Sequence, residues 1–499
     1  MSDKTYTLNA KHIISASLLY LLIPNILFLL GWLVAVVAIP FCIALLGAAI
    51  WVVKQLPSVN VRFTKNEIIR LFIVLAASLI VVEMIGFHGH SLQHGDFFVR
   101  NPIYETLIRD EWPIYNPDGQ YFVYYLSFWL PPAFLAKITE GAITPATILW
   151  LWVYIGVALG FLTLFLRIRG RILPLFILLF LVGTVWDWRF IQNSIHYRAQ
   201  FSPFCAMLDS WLEYLNLLPV HVPWRTALNC TFNHSIPVFL TFTLLISPYV
   251  PRLVYPFFAA LMVSGSPLGA LAIFGILIYR LIPAFTDREQ CFYLASRWYL
   301  WVATLLVVLV ALYFAEGSSA VTPRWAWEKH PVVGLDKALA CTGQLAGAAI
   351  MIAAAFIFLY KYRRTGLFIY MILMFALCSV FFMGAVNNEW QFKASLLPYC
   401  CFAFLASYAW KHMGHKSRIL FMCFVLFCSG AVVQTGINLF RTYSWNKIQI
   451  QKNIRNEWNG HLYHPEHWVS SSFWGDGNVN PIFIRNQALP KPQNFRSIE

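Results

Sequence analysis

Long apolar runs separated by short polar segments make up the chain as far as about residue 438. Many of the runs reach or approach the ~20 residues that a helix needs to cross about 30 Å of hydrocarbon. The composition agrees, since 59% of the 499 residues are hydrophobic and only 12% are charged. We therefore predict an all-α polytopic membrane protein with about 13 transmembrane helices. The expected spans are 13–32, 34–53, 67–87, 143–166, 172–189, 235–250, 253–264, 267–282, 297–315, 338–360, 366–385, 395–410 and 418–438.

Basic residues gather in alternate connections between these spans, and this bias marks the cytoplasmic side of a membrane protein. The pattern predicts a cytoplasmic N-terminus. The net charge of +14 then reports topology and not nucleic-acid binding, with anionic membrane lipid as the expected partner. The segments expected on the opposite, outer face are 88–142, 190–234, 316–337, 386–394 and the tail from 439.

Two regions need separate interpretation. Residues 1–438 form the predicted transmembrane domain, and the polar but tryptophan-containing tail 439–499 predicts a small periplasmic cap. Segment 121–138 is apolar enough to span, yet a full crossing would reverse the side of the basic loop that follows. We predict a juxtamembrane or re-entrant helix there, interrupted by Pro131-Pro132. Cys205 and Cys230 share one outer loop, where a disulfide bridge is an option.

The first outer loop, 88–142, supplies the principal catalytic candidate. Asp96 can act as a general base toward a hydroxyl, and Arg100 beside it favours the charged carboxylate. His94 is a candidate for contact with a phosphate or hydroxyl group. Asn101 followed by Pro102 is a helix-start signal, which places Asp96 just before a helix. The alternative for Asp96 is a structural role at the helix entry or in a salt bridge.

His88, His90 and His94 crowd the approach to this aspartate. Together with a carboxylate they are a possible divalent-metal site, although their spacing matches no established ligand motif. The sequence identifies no certain cofactor, and a divalent metal ion stays an option.

The second outer loop, 190–234, offers Arg198 and Arg225 to neutralise a lipid phosphate, and Asn233 with His234 to bind a phosphate or sugar. Structural roles are equally concrete, because arginines at a membrane surface extend toward headgroups and Asn or His can cap a helix.

A third polar segment lies between two strongly apolar spans and contains Asn388, Glu389 and Lys393. Placing such a loop near hydrocarbon is costly without a function. Lys393 can hold a phosphate while Glu389 orients a hydroxyl. The alternative is an ion pair between Glu389 and Lys393, which are separated by one helical turn.

The order of these features resembles the GT-C class of membrane glycosyltransferases. The stretch 95–115, followed by Tyr124-Tyr125 and Pro131-Pro132, is similar to the first outer loop of lipid-A aminoarabinose and protein O-mannosyl transferases. That similarity covers about the first third of the chain. Later pieces at 233–237, 264–267 and 388–398 look like those of uncharacterised bacterial polytopic proteins often assigned to this class. This chain departs from the pattern by lacking an adjacent second acid after Asp96 and by having two extra spans before that loop.

The resemblance implies an inverting glycosyltransferase of a bacterial inner membrane, with its active site and C-terminus on the periplasmic side. Such an enzyme moves a sugar from a polyprenyl-phosphate donor to an envelope glycan acceptor such as lipopolysaccharide O-antigen. Asp96 is then the base, and the basic loop residues hold the donor phosphate, with Tyr124 among the substrate-binding candidates. One alternative is an O-antigen polymerase or ligase that acts on a pyrophosphate-linked glycan. Another is a lipid or polysaccharide transporter or flippase, which needs charged or broken-helix positions near mid-membrane. The expected spans are nearly free of ionisable groups, which disfavours transport.

Overall fold

Helices follow the apolar runs of the sequence in the computed structural model of the protein. The structure describes residues 5–88, 97–115, 122–182, 224–285, 296–315, 323–325, 335–383 and 389–428. The expectation of a mainly helical chain is confirmed. The helices are α1 (Ala10–Trp32), α2 (Ala35–Gln55), α3 (Lys65–Glu83), α4 (Phe97–Arg109), α5 (Leu130–Thr139), α6 (Pro145–Ile168), α7 (Ile172–Leu181), α8 (Trp224–Ile246), α9 (Tyr255–Val263), α10 (Pro267–Phe285), α11 (Trp298–Ala315), α12 (Leu335–Leu359), α13 (Gly366–Val380), α14 (Glu389–Ala394), α15 (Leu396–Ala409) and α16 (His415–Phe427).

Several of these helices are suited to a bilayer, so the chain is a membrane protein. Within the described residues, four helical stretches are long and apolar enough to cross by themselves: Ala10–Trp32, Ala35–Gln55, Pro145–Leu181 and Trp298–Ala315. The other apolar helices are shorter. The tail 439–499, with its predicted cap, and the pair Cys205 and Cys230 lie outside the described residues.

Two small antiparallel sheets add to the all-α fold that the sequence predicts. They are formed by β1 (Thr5–Asn9) with β2 (Asn60–Thr64), and by β3 (Pro323–Trp325) with β4 (Phe381–Met383). In β2 the side chains of Val61 and Phe63 are buried while their neighbours are exposed, which is the two-residue period of a strand. Phe63 stacks on Phe165 of α6 with ring centroids 4.4 Å apart. The first sheet therefore joins the start of α1 to the start of α3.

Helix α8 packs against α6, α9, α10, α14 and α15, so it lies at the centre of the described bundle. Its crossing with α6 is close because α6 presents two glycines one turn apart, Gly156 and Gly160. A Cβ atom at Gly156 would meet the Ile236 side chain, and one at Gly160 would lie 2.5 Å from Phe239 Cε1. Small residues at this spacing let two membrane helices approach backbone to backbone.

Helix α4 begins earlier than the sequence predicts. The helix-start signal at Asn101-Pro102 is wrong, because α4 starts at Phe97 and Pro102 lies inside it. The first turn is held by packing: Phe97 is buried, with its ring centroid 6.0 Å from that of Phe87 and 5.8 Å from that of Phe232. These contacts stabilise a turn that local sequence preference does not mark.

Segment 121–138 contains a short 3₁₀ turn, Ser127–Trp129, followed by α5. Helix α5 has 10 residues and is about 15 Å long, too short to cross the hydrocarbon by itself. Pro131 and Pro132 lie in its first turn, where their missing N–H groups cost nothing. They begin this helix and do not interrupt it, so that part of the prediction is corrected.

Lys137 on α5 fastens the segment that follows α4. Its Nζ donates to the Asp110 carbonyl at 2.5 Å and lies 4.8 Å from the centroid of the Trp112 ring. Burial lowers the pKa of Lys137, although the nearby acids Asp110 and Glu111 oppose the shift. Helices α4 and α5 are thereby held as one unit against α6.

Candidate functional site

Four of the predicted site residues come together from three helices. Arg100 lies on α4, Asn233 and His234 lie on α8, and Lys393 lies on α14. All four side chains are buried, with at most 5% of their surface exposed. The Lys393 ammonium and the Arg100 guanidinium are both close enough to His234 to interact electrostatically with it. We call these four residues and Tyr125, described below, the buried cluster.

A break in α8 places Asn233 and its neighbours in the first turn of a second half-helix. Thr231 has non-helical dihedrals, φ −140° and ψ 41°. The Thr231 and Ser235 hydroxyls both donate to the Ala227 carbonyl oxygen, at 3.0 and 2.9 Å. The broken helix is thus stabilised by its own hydroxyl groups. The span expected at 235–250 is corrected accordingly to a kinked helix that begins at Trp224.

Arg100 is held between aromatic rings. Its Cζ lies 5.8 Å from the centroid of the Phe97 ring and 5.5 Å from that of the Phe232 ring. A desolvated cation over an aromatic face gains about 2 kcal/mol. Phe232 directly precedes Asn233, so this contact fixes α4 to the broken part of α8.

Tyr125 lies between Lys393 and His234 and contacts both. Lys393 Nζ lies 4.2 Å from the centroid of the Tyr125 ring, and the His234 ring meets the same side chain edge-on at 4.7 Å. The sequence pointed instead to Tyr124, whose ring lies 5.1 Å from that of Tyr125. The aromatic signal was therefore present in the sequence, but the contact is made one residue later.

A buried hydroxyl on α11 holds the Tyr125 segment in place. Tyr313 accepts a hydrogen bond from the Tyr124 N–H at 2.9 Å. Its oxygen also lies 3.2 Å from the Phe122 carbonyl and 3.0 Å from the Tyr124 carbonyl, and its single hydrogen donates to one of them at a time. The sequence did not identify Tyr313. Its hydroxyl is one of three in the apolar run of α11, with those of Tyr299 and Thr304, so the sequence does not single it out.

The tautomer of the His234 ring is set by its contact with the Gly265 carbonyl. Nδ1 lies 2.9 Å from the Gly265 carbonyl oxygen, which can only accept, so Nδ1 carries a hydrogen and donates it. In the neutral ring Nε2 is then an acceptor. The turn that contains Gly265 is fastened to α1, because Ser264 Oγ donates to Asn25 Oδ1 at 2.8 Å and Asn25 Nδ2 donates to the Leu261 carbonyl at 2.7 Å.

The Asn233 side chain is fully buried. Among the residues that the structure describes, neither its Oδ1 nor its Nδ2 has a hydrogen-bond partner. Leaving a buried polar group unmatched costs about 1–3 kcal/mol. This amide can therefore donate to and accept from a ligand with oxygen atoms, and such a ligand would recover that free energy.

Other predicted site residues cannot be placed against the buried cluster. The side chains of Arg225 on α8 and Glu389 on α14 are not described. Phe97, the residue that follows Asp96 in the chain, contacts Phe232 beside the cluster. Four candidates lie outside the described residues altogether: His94, Asp96, Arg198 and Asn388.

The metal option rests on residues that are only partly described. No group of three or more potential metal ligands occurs within the described part of the chain. His88 Nδ1 lies 3.2 Å from Glu83 Oε2, and His88 Nε2 lies 3.3 Å from Thr147 Oγ1. His88 thus joins α3 to α6, while His90 and His94 lie outside the described residues.

Comparisons with protein family models, with curated proteins and with solved structures give no match for this chain.

Proposed function

We propose that the chain is an inverting glycosyltransferase of the membrane. It would move a sugar from a polyprenyl-phosphate donor to an envelope glycan acceptor, such as O-antigen, at the periplasmic face of a bacterial inner membrane. The buried cluster would hold the donor phosphate, and Asp96 would act as the base.

The observation that carries the proposal is the convergence of Arg100, Lys393 and the His234 imidazole inside an apolar bundle. Two like charges in a medium of low dielectric repel one another more strongly than in water. A phosphate bound beside both cations gains charge-assisted hydrogen bonds from them. The Asn233 amide and His234 Nε2 supply further polar contacts, which suit phosphate oxygens and the hydroxyls of a sugar.

The membrane limits which class of sugar donor can reach the buried cluster. A polyprenyl-phosphate sugar is confined to the bilayer, so its phosphate arrives at a site reached from within the bundle and not from bulk solvent. The aromatic rings around Arg100 and Lys393 provide an apolar boundary for such a lipid-linked substrate.

The reaction is a single displacement. The acceptor hydroxyl oxygen attacks the anomeric carbon, Asp96 takes the hydroxyl proton, and the bond from that carbon to the phosphate oxygen breaks. The electron pair leaves with the polyprenyl phosphate, whose developing charge is stabilised by Arg100 and Lys393. Because the nucleophile enters opposite the leaving group, the configuration inverts.

Two measurements test the proposal. In cells, mass spectrometry of the envelope glycans compares the native chain with Asp96→Asn, which should remove one sugar addition while protein expression and carrier-lipid binding stay intact. Full sugar addition by Asp96→Asn would contradict the assigned base.

In nanodiscs, the binding of polyprenyl phosphate is compared with that of the uncharged polyprenol. Arg100→Gln and Lys393→Gln should each weaken phosphate-lipid binding about 10-fold or more, the loss of one charge-assisted hydrogen bond. The matched control is Arg109→Gln on the same helix, because Arg109 is exposed and paired with Asp110 at 2.8 Å. Equal losses of binding in Arg100→Gln and Arg109→Gln would show that the buried cluster does not hold the donor phosphate.

A second candidate is transport of a lipid-linked phosphate, and the break in α8 favours it. Broken helices with polar groups near mid-membrane are typical of transporter substrate sites. A transporter would share the loss of binding in Arg100→Gln but would transfer no sugar, so the glycan measurement separates the two functions.

A further inference from the structure

At the other end of the bundle from the buried cluster, basic side chains collect around one corner. Arg171 precedes α7, Tyr362 follows α12, Tyr408 is near the end of α15, and Lys411 and Arg418 lie on either side of the turn into α16. We call these five residues the basic corner. Helix α7 packs against both α15 and α16, which brings the segments together.

The Arg171 guanidinium is held in a fixed position. Its Cζ lies 4.2 Å from the centroid of the Tyr408 ring, and Tyr362 is close enough to interact electrostatically with both residues. Arg171 Nε is buried and has no hydrogen-bond partner within the described part of the chain. The stacked guanidinium keeps its other N–H groups available in a rigid fork, a geometry that suits phosphate oxygens.

Arg418 is fixed in a similar way on the neighbouring turn. Its Nε donates to the Trp410 carbonyl at 3.2 Å, and its Cζ lies 5.6 Å from the Trp410 ring. Ile419 and Leu420 follow directly and are more than half exposed. A cation and exposed apolar side chains thus lie within two residues of each other. This combination is typical of a protein surface at the boundary between lipid headgroups and acyl chains.

Further cations lie beside the basic corner. Arg70 Nη1 donates to the Gly170 carbonyl at 2.7 Å, one residue before Arg171, and Arg167 Nη1 donates to the Ile246 carbonyl. The carboxylate of Glu67, which also lies near Gly170, is engaged at the start of α3. Glu67 Oε2 accepts from the Thr64 N–H at 2.9 Å and from the Thr64 hydroxyl at 3.2 Å.

We infer that the basic corner binds the phosphate headgroup of an anionic phospholipid, with the acyl chains lying along Ile419 and Leu420. The fixed Arg171 and Arg418 would hold the phosphate oxygens, and the exposed Lys411 would add a mobile third charge. The exposed apolar residues beside Arg418 favour a lipid over a free phosphate. This site is independent of the proposed glycosyl transfer, since it lies at the other end of the bundle.

The test uses the full chain in detergent micelles, titrated with phosphatidylglycerol, with phosphatidylcholine and with glycerol phosphate. Lipid binding is followed by native mass spectrometry and by the thermal unfolding midpoint. The native chain should retain and be stabilised by phosphatidylglycerol, and should respond much less to the zwitterionic lipid. Stabilisation by glycerol phosphate equal to that by phosphatidylglycerol would overturn the assignment to a lipid.

The variant Lys411→Gln with Arg418→Gln should bind phosphatidylglycerol roughly 10- to 30-fold more weakly, because each cation near an anionic lipid strengthens binding about 5-fold. The matched control, Arg62→Gln with Lys65→Gln, removes the same charge at the same end outside the corner and should change binding less than 2-fold. Arg171→Lys keeps the charge but loses the planar fork, and it should give an intermediate affinity. Equal binding by the corner and control variants would refute a defined site and leave only a diffuse positive surface.

Discussion

Replacing Gly160 by alanine tests the close crossing of α6 and α8. The added Cβ would lie 2.5 Å from Phe239 Cε1 and 2.7 Å from Cδ1, whereas carbon atoms in contact prefer about 3.5–4.0 Å. The Phe239 ring is buried and packs against Phe161 at 5.4 Å, so it cannot simply move away. An overlap of this size belongs at the upper end of overpacking costs, about 3 kcal/mol. Alanine recovers about 1 kcal/mol of helix propensity, which leaves a net destabilisation of about 2 kcal/mol.

The assay is equilibrium unfolding in mixed micelles with increasing denaturing detergent, followed by tryptophan fluorescence. Gly47→Ala on α2 is the matched control, since among the described residues its Cβ would meet only Trp298, at an ordinary 3.5 Å. The control should be neutral or more stable by up to about 1 kcal/mol. A Gly160→Ala chain as stable as the Gly47→Ala chain would refute the close crossing.

Two further substitutions test a side-chain hydrogen bond and a helix cap by the same unfolding measurement. Tyr313→Phe keeps the ring but removes the hydroxyl that accepts from the Tyr124 N–H, and it should cost about 1 kcal/mol, the net contribution of a hydrogen bond; a loss below about 0.5 kcal/mol would show that this hydroxyl does not hold the segment. Thr64→Ala removes the capping box with Glu67 at the start of α3 and should cost about 1 kcal/mol. The control is Thr304→Ala, since the exposed Thr304 hydroxyl donates to the Leu300 carbonyl of its own helix, at 2.9 Å; an equal loss in the control would mean that the effect is not specific to this cap.

The helical segments were largely predictable because the signal for them is local. An apolar run of sufficient length must satisfy its backbone hydrogen bonds internally once it leaves water, and a helix does so within the segment. The positions of α1, α2 and α11 therefore follow from the sequence to within a few residues. The start of α4 at Phe97 does not, because it depends on contacts with Phe87 and Phe232, which come from distant parts of the chain.

The candidate site was predictable in its chemistry but not in its arrangement. Arg100, His234 and Lys393 stood out as polar residues next to apolar spans, and that part of the prediction needs only composition and position. Tyr125 was noted only as part of the pair Tyr124-Tyr125, and Tyr313 was not identified, because a tyrosine in an apolar segment carries no local sign of what its hydroxyl or ring will contact.

The sequence by itself thus determined that the protein is a helical membrane protein. It also determined which polar side chains lie next to apolar spans, where burial without a function is costly. Only the tertiary structure decided that residues 100, 234 and 393 meet beside a broken helix. Burial and hydrophobic length act on each segment separately, so the sequence records them directly. Proximity depends on how α6 and α8 pack through Gly156 and Gly160, and that packing exists only when the whole bundle has formed.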